Sequence, residues 1–417
     1  MADKVRLALV GCGLISGRHV DGYRDLHARG CREFEVTACC SANGQTAKEQ
    51  AAKIAAFQGS EPRVFTDITA LIDSGVADAA DVCVPHCFHH TIACSLLEGG
   101  LHVQLEKPVG ITIRASRKII AQAKRSRRLL TTAEHVRRTL PARACTWAVR
   151  DAKLLGELIA GEALVTRHEI LEINKAPKRW RAVKLMTGGG PILDSGAHFA
   201  DMMLMLFGEV DEVSCSMKVI EQSEVGDLPV IGKTRADVEN YFHAVIRFVS
   251  GFEVGWTFSN RSHGEEIRIG RVFGMKGTIT AIGPVMHPFE GGGIIVLADG
   301  RTLASEKIQL DYLMNLSGNE KQRLFPYGVT DGFSVQTWDF VNAIRTGEKP
   351  EMDGEAGLRA KALSECCYES ATLGRPVKYA DVLAGRIDAY QRPIDEFWNL
   401  LDEKKASATR ETLIVAR

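Results

Sequence analysis

Along residues 5–133, short apolar runs alternate with stretches of helical period. Val5–Val10, Phe34–Cys40, Ala80–Val84, Leu101–Leu105 and Leu129–Ala133 read as buried strands. Between them, Gln45–Gln58, Thr91–Glu98 and Ser116–Arg128 repeat apolar residues at helical spacing, and Gly99-Gly100 closes the second of these helices. Strand and helix in alternation predict a parallel sheet covered by helices. Past Pro141 the pattern changes. A helix over Ala142–Leu155 is followed by period-two runs at Leu164–Asn174, Glu212–Ile220, Val238–Val249, Phe252–Asn260, Glu266–Phe273 and Gly293–Ala298. Apolar and polar residues in strict alternation predict a large, mostly antiparallel sheet. Helices over Val335–Arg345 and Ala356–Thr372 close this part. The expected architecture is therefore an α/β domain (1–133), an α+β domain (134–383) and a helical C-terminal tail (384–417).

A chain of 417 residues suits two cores. Its 52 basic residues balance 52 acidic ones, which argues against nucleic acid or an anionic membrane as the main partner. No apolar run approaches the ~18–20 residues of a membrane span. Met1-Ala2-Asp3-Lys4 leads straight into the first strand, with none of the apolar core of a signal peptide. The 11 cysteines are an odd number without framework spacing, so reduced thiols and a cytoplasmic location are expected.

The first strand ends at Gly11-Cys12-Gly13-Leu14-Ile15-Ser16-Gly17, where a dinucleotide fingerprint belongs. Gly11 permits the tight turn, Gly13 lets the backbone approach a pyrophosphate, and Ser16 allows close helix–strand packing. The backbone at Leu14 and Ile15 enters the helix whose N-terminus favours an anion. This makes the first domain a Rossmann domain. The second strand ends at Ser41-Ala42-Asn43, without the acid that would repel a 2′-phosphate and without the arginine that would bind one, so NAD or NADP is expected. Asp194 and His198 stand four apart, a spacing that on a helix places both on one face, and three glycines lead into them. Imidazole titrates near neutrality and suits proton removal from a hydroxyl.

Four segments together resemble the glucose-fructose oxidoreductase/inositol dehydrogenase (Gfo/Idh/MocA) family. They are Val5–His19; Asp81 through Pro85 and His89, continuing in Gly100 through Glu106-Lys107-Pro108; Gly188 through Asp194, Gly196, His198 and Asp201; and Phe340–Arg345 with Tyr368-Glu369-Ser370 and Gly374-Arg375-Pro376. The resemblance implies that Lys107 is the catalytic lysine beside the nicotinamide, with Pro108 in a cis peptide and Glu106 contacting the cofactor or orienting Lys107. It implies His198 as base and Asp194 as its substrate-binding partner. Pro85 and His89 are expected to border the cofactor. Trp180 and Arg181 are candidates for a sugar pocket, because an indole face stacks on sugar C–H groups, and His135 and Arg137 are further substrate candidates. Asp201 reads equally as a helix-stabilising residue. Cys83, His86, Cys87, His89, His90 and Cys94 lack the paired spacing of a closed zinc site, and no metal is expected.

The expected reaction is reversible hydride transfer between a secondary hydroxyl of a sugar, polyol or glycoside and nicotinamide. Two alternatives stand beside it: glycoside cleavage by transient oxidation with retained NAD, and a dinucleotide-sensing regulator. A broad sheet face needs cover, so a homo-oligomer (dimer, tetramer or higher) is expected.

Overall fold

The structure, a computed structural model, describes residues 4–169, 178–220 and 222–401 and divides into two compact units. The first holds the chain through His135, Gln322–Leu358 and the chain from Asp395; the second holds Val136–Lys321 and Arg359–Ile394. Among the described residues no helix is long and apolar enough to cross a membrane.

The first unit opens with β1 (Val5–Val10), α1 (Ser16–Ala28), β2 (Phe34–Cys40), α2 (Gly44–Gln58), β3 (Arg63–Phe65) and α3 (Ile68–Asp73). It continues with β4 (Ala79–Val82), α4 (His89–Glu98), β5 (His102–Glu106), α5 (Ile113–Ser126) and β6 (Leu130–Ala133). The strands pair in parallel in the order β3-β2-β1-β4-β5-β6, so the winding reverses between β1 and β4. Leu7, Leu9, Val103 and Leu105 are fully buried, as strands covered on both faces require. Asn43, Asp67 and Thr112 cap α2, α3 and α5 by accepting backbone N–H groups. Helix α1 has no side-chain cap and no acidic residue in its first turn. The short β3 carries no apolar run and escaped the pattern reading.

In the second unit, α6 (Leu140–Thr146) runs into a π-helical turn at Trp147–Asp151. Then come β7 (Leu158–Thr166), α7 (Lys184–Thr187), α8 (Gly196–Phe207), β8 (Val210–Lys218) and the hairpin of β9 (Glu224–Leu228) and β10 (Gly232–Arg235). They are followed by β11 (Tyr241–Phe248), β12 (Glu253–Ser259), β13 (Ile267–Gly274), β14 (Gly277–Ala281), β15 (Gly293–Leu297), β16 (Thr302–Leu303) and α9 (Ser305–Asn315). The remaining elements are α10 (Gly318–Leu324), α11 (Gly332–Thr346), α12 (Gly354–Leu373), β17 (Val377–Lys378), α13 (Tyr379–Leu383) and α14 (Arg392–Phe397). Nine strands form one sheet in the order β16-β15-β14-β13-β7-β12-β11-β8-β17, antiparallel except for the β7–β12 pair. Phe242, Ala244, Ile246 and Phe248 point inward while His243 and Arg247 point outward. Trp256 of β12 stacks on Phe199 of α8 at 4.2 Å and meets Phe242 edge-on at 4.7 Å, which seats α8 on the sheet. The expected strand Leu164–Asn174 overlaps β7 only over 164–166, since β7 runs from Leu158 to Thr166; residues 170–174 lie outside the described residues.

Sequence places the domain boundary at 133/134, beside the observed His135/Val136. Residues 322–358, expected in the second domain, belong to the first unit, where α11 packs on α1. Gly22 makes that approach possible, since a Cβ there would come within 2.9 Å of the Phe333 carbonyl carbon, and Ser334 donates to Asp25 at 2.9 Å. The expected separate tail is corrected too. Asp395 accepts from Thr112 at 2.6 Å and from Arg114 at 3.2 Å, both in the first unit.

Candidate active site

The β1–α1 turn lies where the winding reverses, the place at which open α/β sheets bind ligands. Gly11 has φ +88°, and a Cβ there would lie 2.6 Å from the Cys83 carbonyl oxygen, so only glycine fits. Gly13 and Leu14 are exposed, and Ser16 Oγ donates to the Gly13 carbonyl at 2.6 Å, closing the turn onto α1. The uncapped positive end of α1 suits a pyrophosphate. Ser41 lies 3.2 Å from Thr46 Oγ1 at the end of β2, on a turn without a carboxylate. Pro85 follows β4 and opens a short 3-10 turn, His86–Phe88.

On the neighbouring strand, Glu106 is the last residue of β5, and the Lys107–Pro108 bond is cis. His89 braces this turn from behind: Nδ1 is 2.8 Å from the Pro108 carbonyl and Nε2 is 3.0 Å from that of Val84. Its ring is fully buried, and burial holds it down to about 4, so it is neutral near pH 7. This corrects the expectation that His89 borders the cofactor, because no part of it reaches the surface. Glu106 is buried too and accepts from His19 Nε2 at 3.0 Å, while His19 Nδ1 is 2.7 Å from Asp81 and Tyr23 donates to the same Asp81. Burial opposes charge on all three groups. The pairing overrides it, holding His19 well above its ordinary value and Asp81 and Glu106 below theirs. His135, in the same unit, stacks on Phe333 at 4.2 Å.

In the second unit, α7 ends at Gly188 with φ +87°. A Cβ on Gly189 would lie 2.1 Å from the Tyr368 hydroxyl, and one on Gly190 would lie 2.8 Å from the Glu239 carbonyl oxygen. The glycines therefore admit the protein's own Glu239 and Tyr368. The Glu239 carboxylate accepts the N–H groups of Gly190 and Ile192 and the Tyr368 hydroxyl, each at 2.9 Å. Burial nonetheless pushes it up to about 7. Asp194 sits on the turn that follows, and α8 starts only at Gly196. Asp194 and His198 thus do not share a helical face, because glycine and proline hold residues 188–191 in a turn. Asp194 accepts from Arg181, whose guanidinium also lies 5.0 Å above the Trp180 ring. His198 is buried in the first turn of α8, and its ring is 4.5 Å from His287, which contacts Glu290 at 3.0 Å. Arg137 pairs with buried Asp201 at 2.8 Å, giving Asp201 an ion-pair role. Glu239 and His287 were not singled out from sequence, and Tyr368 entered only as part of the C-terminal motif Tyr368-Glu369-Ser370. A place at the start of the period-two run Val238–Val249 was the sole signal for Glu239.

A parallel sheet that reverses beside an uncapped helix N-terminus is a dinucleotide-binding domain. The fold and this turn define the class of dinucleotide-binding proteins. The chain matches the oxidoreductase-family NAD-binding Rossmann fold over residues 5–134 and the same family's C-terminal alpha/beta domain over residues 153–379; it belongs to the Gfo/Idh/MocA family. It is 30% identical to Oxidoreductase P35 of Formosa agariphila, over 38% of this chain and 51% of that protein, so the match spans about half of this relative's length. It is 27% identical to the D-glucoside 3-dehydrogenase of Escherichia coli, over 60% of this chain and 68% of that one. The fold is similar to the WlbA dehydrogenase of Bordetella pertussis, solved with NADH and UDP-GlcNAcA, at TM-score 0.70 and 22% identity, covering 91% and 98% of the two chains.

Proposed function

We propose that this protein moves hydride between a secondary hydroxyl of a sugar, polyol or glycoside and NAD or NADP. The observation that carries the reading is the Lys107 turn, set at the carboxyl end of β5 next to the strand reversal that suits a dinucleotide. The D-glucoside 3-dehydrogenase relative supports the sugar class. Gly11, Gly13, Leu14, Ile15, Ser41 and Pro85 hold the cofactor, which supplies a hydride acceptor at the nicotinamide ring. Lys107 donates a hydrogen bond to the reacting oxygen and stabilises the charge that grows on it as the proton leaves. His198 takes that proton. Asp194, set by Arg181, accepts from a neighbouring hydroxyl, and Trp180 offers its ring to the sugar. His135 and Arg137 complete the substrate contacts.

The protein works in the cytoplasm as a homo-oligomer. None of the 11 cysteines is joined in a disulfide, which supports a reducing compartment. On the outward face of the nine-stranded sheet Ile269 pairs with Leu164, and Ile267, Ile294 and Val296 are exposed, Val296 by 49%. A second copy covering this face would remove that apolar surface from water.

The test adds NAD or NADP to the purified protein with a panel of polyols, free sugars and glycosides, with Lys107→Ala as control. Growth of reduced-nicotinamide absorbance with one substrate class, lost in the variant, is expected. Sugar release from a glycoside without net cofactor reduction would overturn simple dehydrogenation.

A further inference from the structure

Both ring nitrogens of His19 face carboxylate oxygens, Asp81 at 2.7 Å and Glu106 at 3.0 Å, and the ring is fully buried. An ionised carboxylate only accepts hydrogen bonds, and a neutral imidazole has a single N–H. With both carboxylates ionised, a proton on each nitrogen makes both contacts hydrogen bonds and balances the buried negative charge, which the neutral carbonyls facing His89 do not call for. Three segments meet at this ring: the first turn of α1 just after the dinucleotide turn, the middle of β4, and the last residue of β5, which is joined directly to Lys107.

We propose that His19 is a positioning residue: a permanently charged, buried imidazolium that ties the Lys107 turn to the helix receiving the dinucleotide. The idea rests on the hydride-transfer reading for what Lys107 does, but the charge on His19 stands apart from it. The groups facing the ring are Asp81, Glu106 and Cys83, with Tyr23 behind Asp81 and the Phe333 ring edge-on at 5.4 Å. Lys107 and His135 also act on Glu106, both favouring its charged form. Without the imidazolium, two buried carboxylates would be left close together, and one would have to take a proton. Glu106 would then lose the anionic anchor that fixes it, and Lys107 with it. His19, Asp81 and Cys83 also lie within 4.8 Å of one another, the spacing of a metal site. A metal needs a ring nitrogen with a lone pair, and a doubly protonated ring has none to offer.

The direct test is nitrogen-15 NMR of the histidine rings in the wild-type protein. His19 is expected to remain doubly protonated well above the ~6.5 of a free imidazole. The kinetic test is His19→Gln, which keeps polar atoms but not the charge. It is expected to lower kcat by about 10- to 100-fold, to leave the dissociation constant of NADH within about threefold, and to produce an infrared band of a protonated buried carboxyl. A neutral His19 ring in the wild type would overturn the inference even if the variant failed to fold. Stoichiometric metal at this cluster, or a His19→Gln enzyme with unchanged kcat, would overturn it as well. Failure of every sugar to reduce the cofactor in the wild type would instead sink the dehydrogenase reading, with the NMR result still deciding the charge on His19.

Discussion

Replacing Glu239 by Gln should make the protein more stable and less active at the same pH. The ionised carboxylate holds three donors, the N–H groups of Gly190 and Ile192 and the Tyr368 hydroxyl, and so fastens the turn leading to Asp194. That charge is fully buried, and burial raises the group from 4.5 to about 7. For a group raised on folding, the associated stability is present in full below the unfolded value and is lost as pH climbs through the folded one. The window runs from about 4.5 to about 7, and the loss is about 3 kcal/mol across it. Glutamine mimics the protonated acid, since its oxygen still accepts while its NH2 opposes one of the N–H groups. Wild type and Glu239→Gln should therefore agree within about 1 kcal/mol near pH 5, and the variant should be about 2–3 kcal/mol more stable near pH 8. Urea unfolding at both pH values measures this, and taking the difference cancels the other titrating groups. At pH 8 the loosened turn should cost roughly tenfold in kcat/KM, about 1.4 kcal/mol. A stability difference that is the same at both pH values would refute the reasoning.

Gly11→Ala should weaken NADH binding at least roughly tenfold, because a Cβ cannot share space with the Cys83 carbonyl 2.6 Å away; unchanged affinity in a fluorescence titration would count against the assigned dinucleotide turn. Asp194→Asn should lower kcat/KM by roughly 100-fold while costing less than about 1 kcal/mol of stability, since its pair with Arg181 is partly exposed; a large stability loss would mark a structural role instead. Ile294→Glu on the outward sheet face should shift the sedimentation profile toward the monomer, and an unchanged profile would exclude this face as the interface. Burial holds His90 neutral, down to about 3, so its contribution is present above about 6.5 and is lost as pH falls from there toward about 3; His90→Asn should flatten the acid limb of a stability profile.

What the sequence alone determined is local and periodic. Val5–Val10 and Phe34–Cys40 were legible to the residue because strands of a covered parallel sheet are mostly apolar along their length. The turn at Gly11 was legible because a positive φ against a neighbouring strand admits only glycine. Lys107, Asp194 and His198 came from motif order, which records chemistry without recording contacts. Only the tertiary structure decided what stands behind them. Asp194 was expected on a helix, but a turn held by Glu239 and Tyr368 delays α8 to Gly196. His19 and Asp81 entered the sequence reading only as members of motif segments and Glu106 as the neighbour of Lys107; they become one charge network when β4, β5 and α1 meet. Residues 322–358 return to the first unit because Gly22 and Asp25 of α1 fit the N-terminus of α11. These decisions join residues tens to hundreds of positions apart. A hydrophobic period reports which face of an element is buried, not which buried polar group it will meet there.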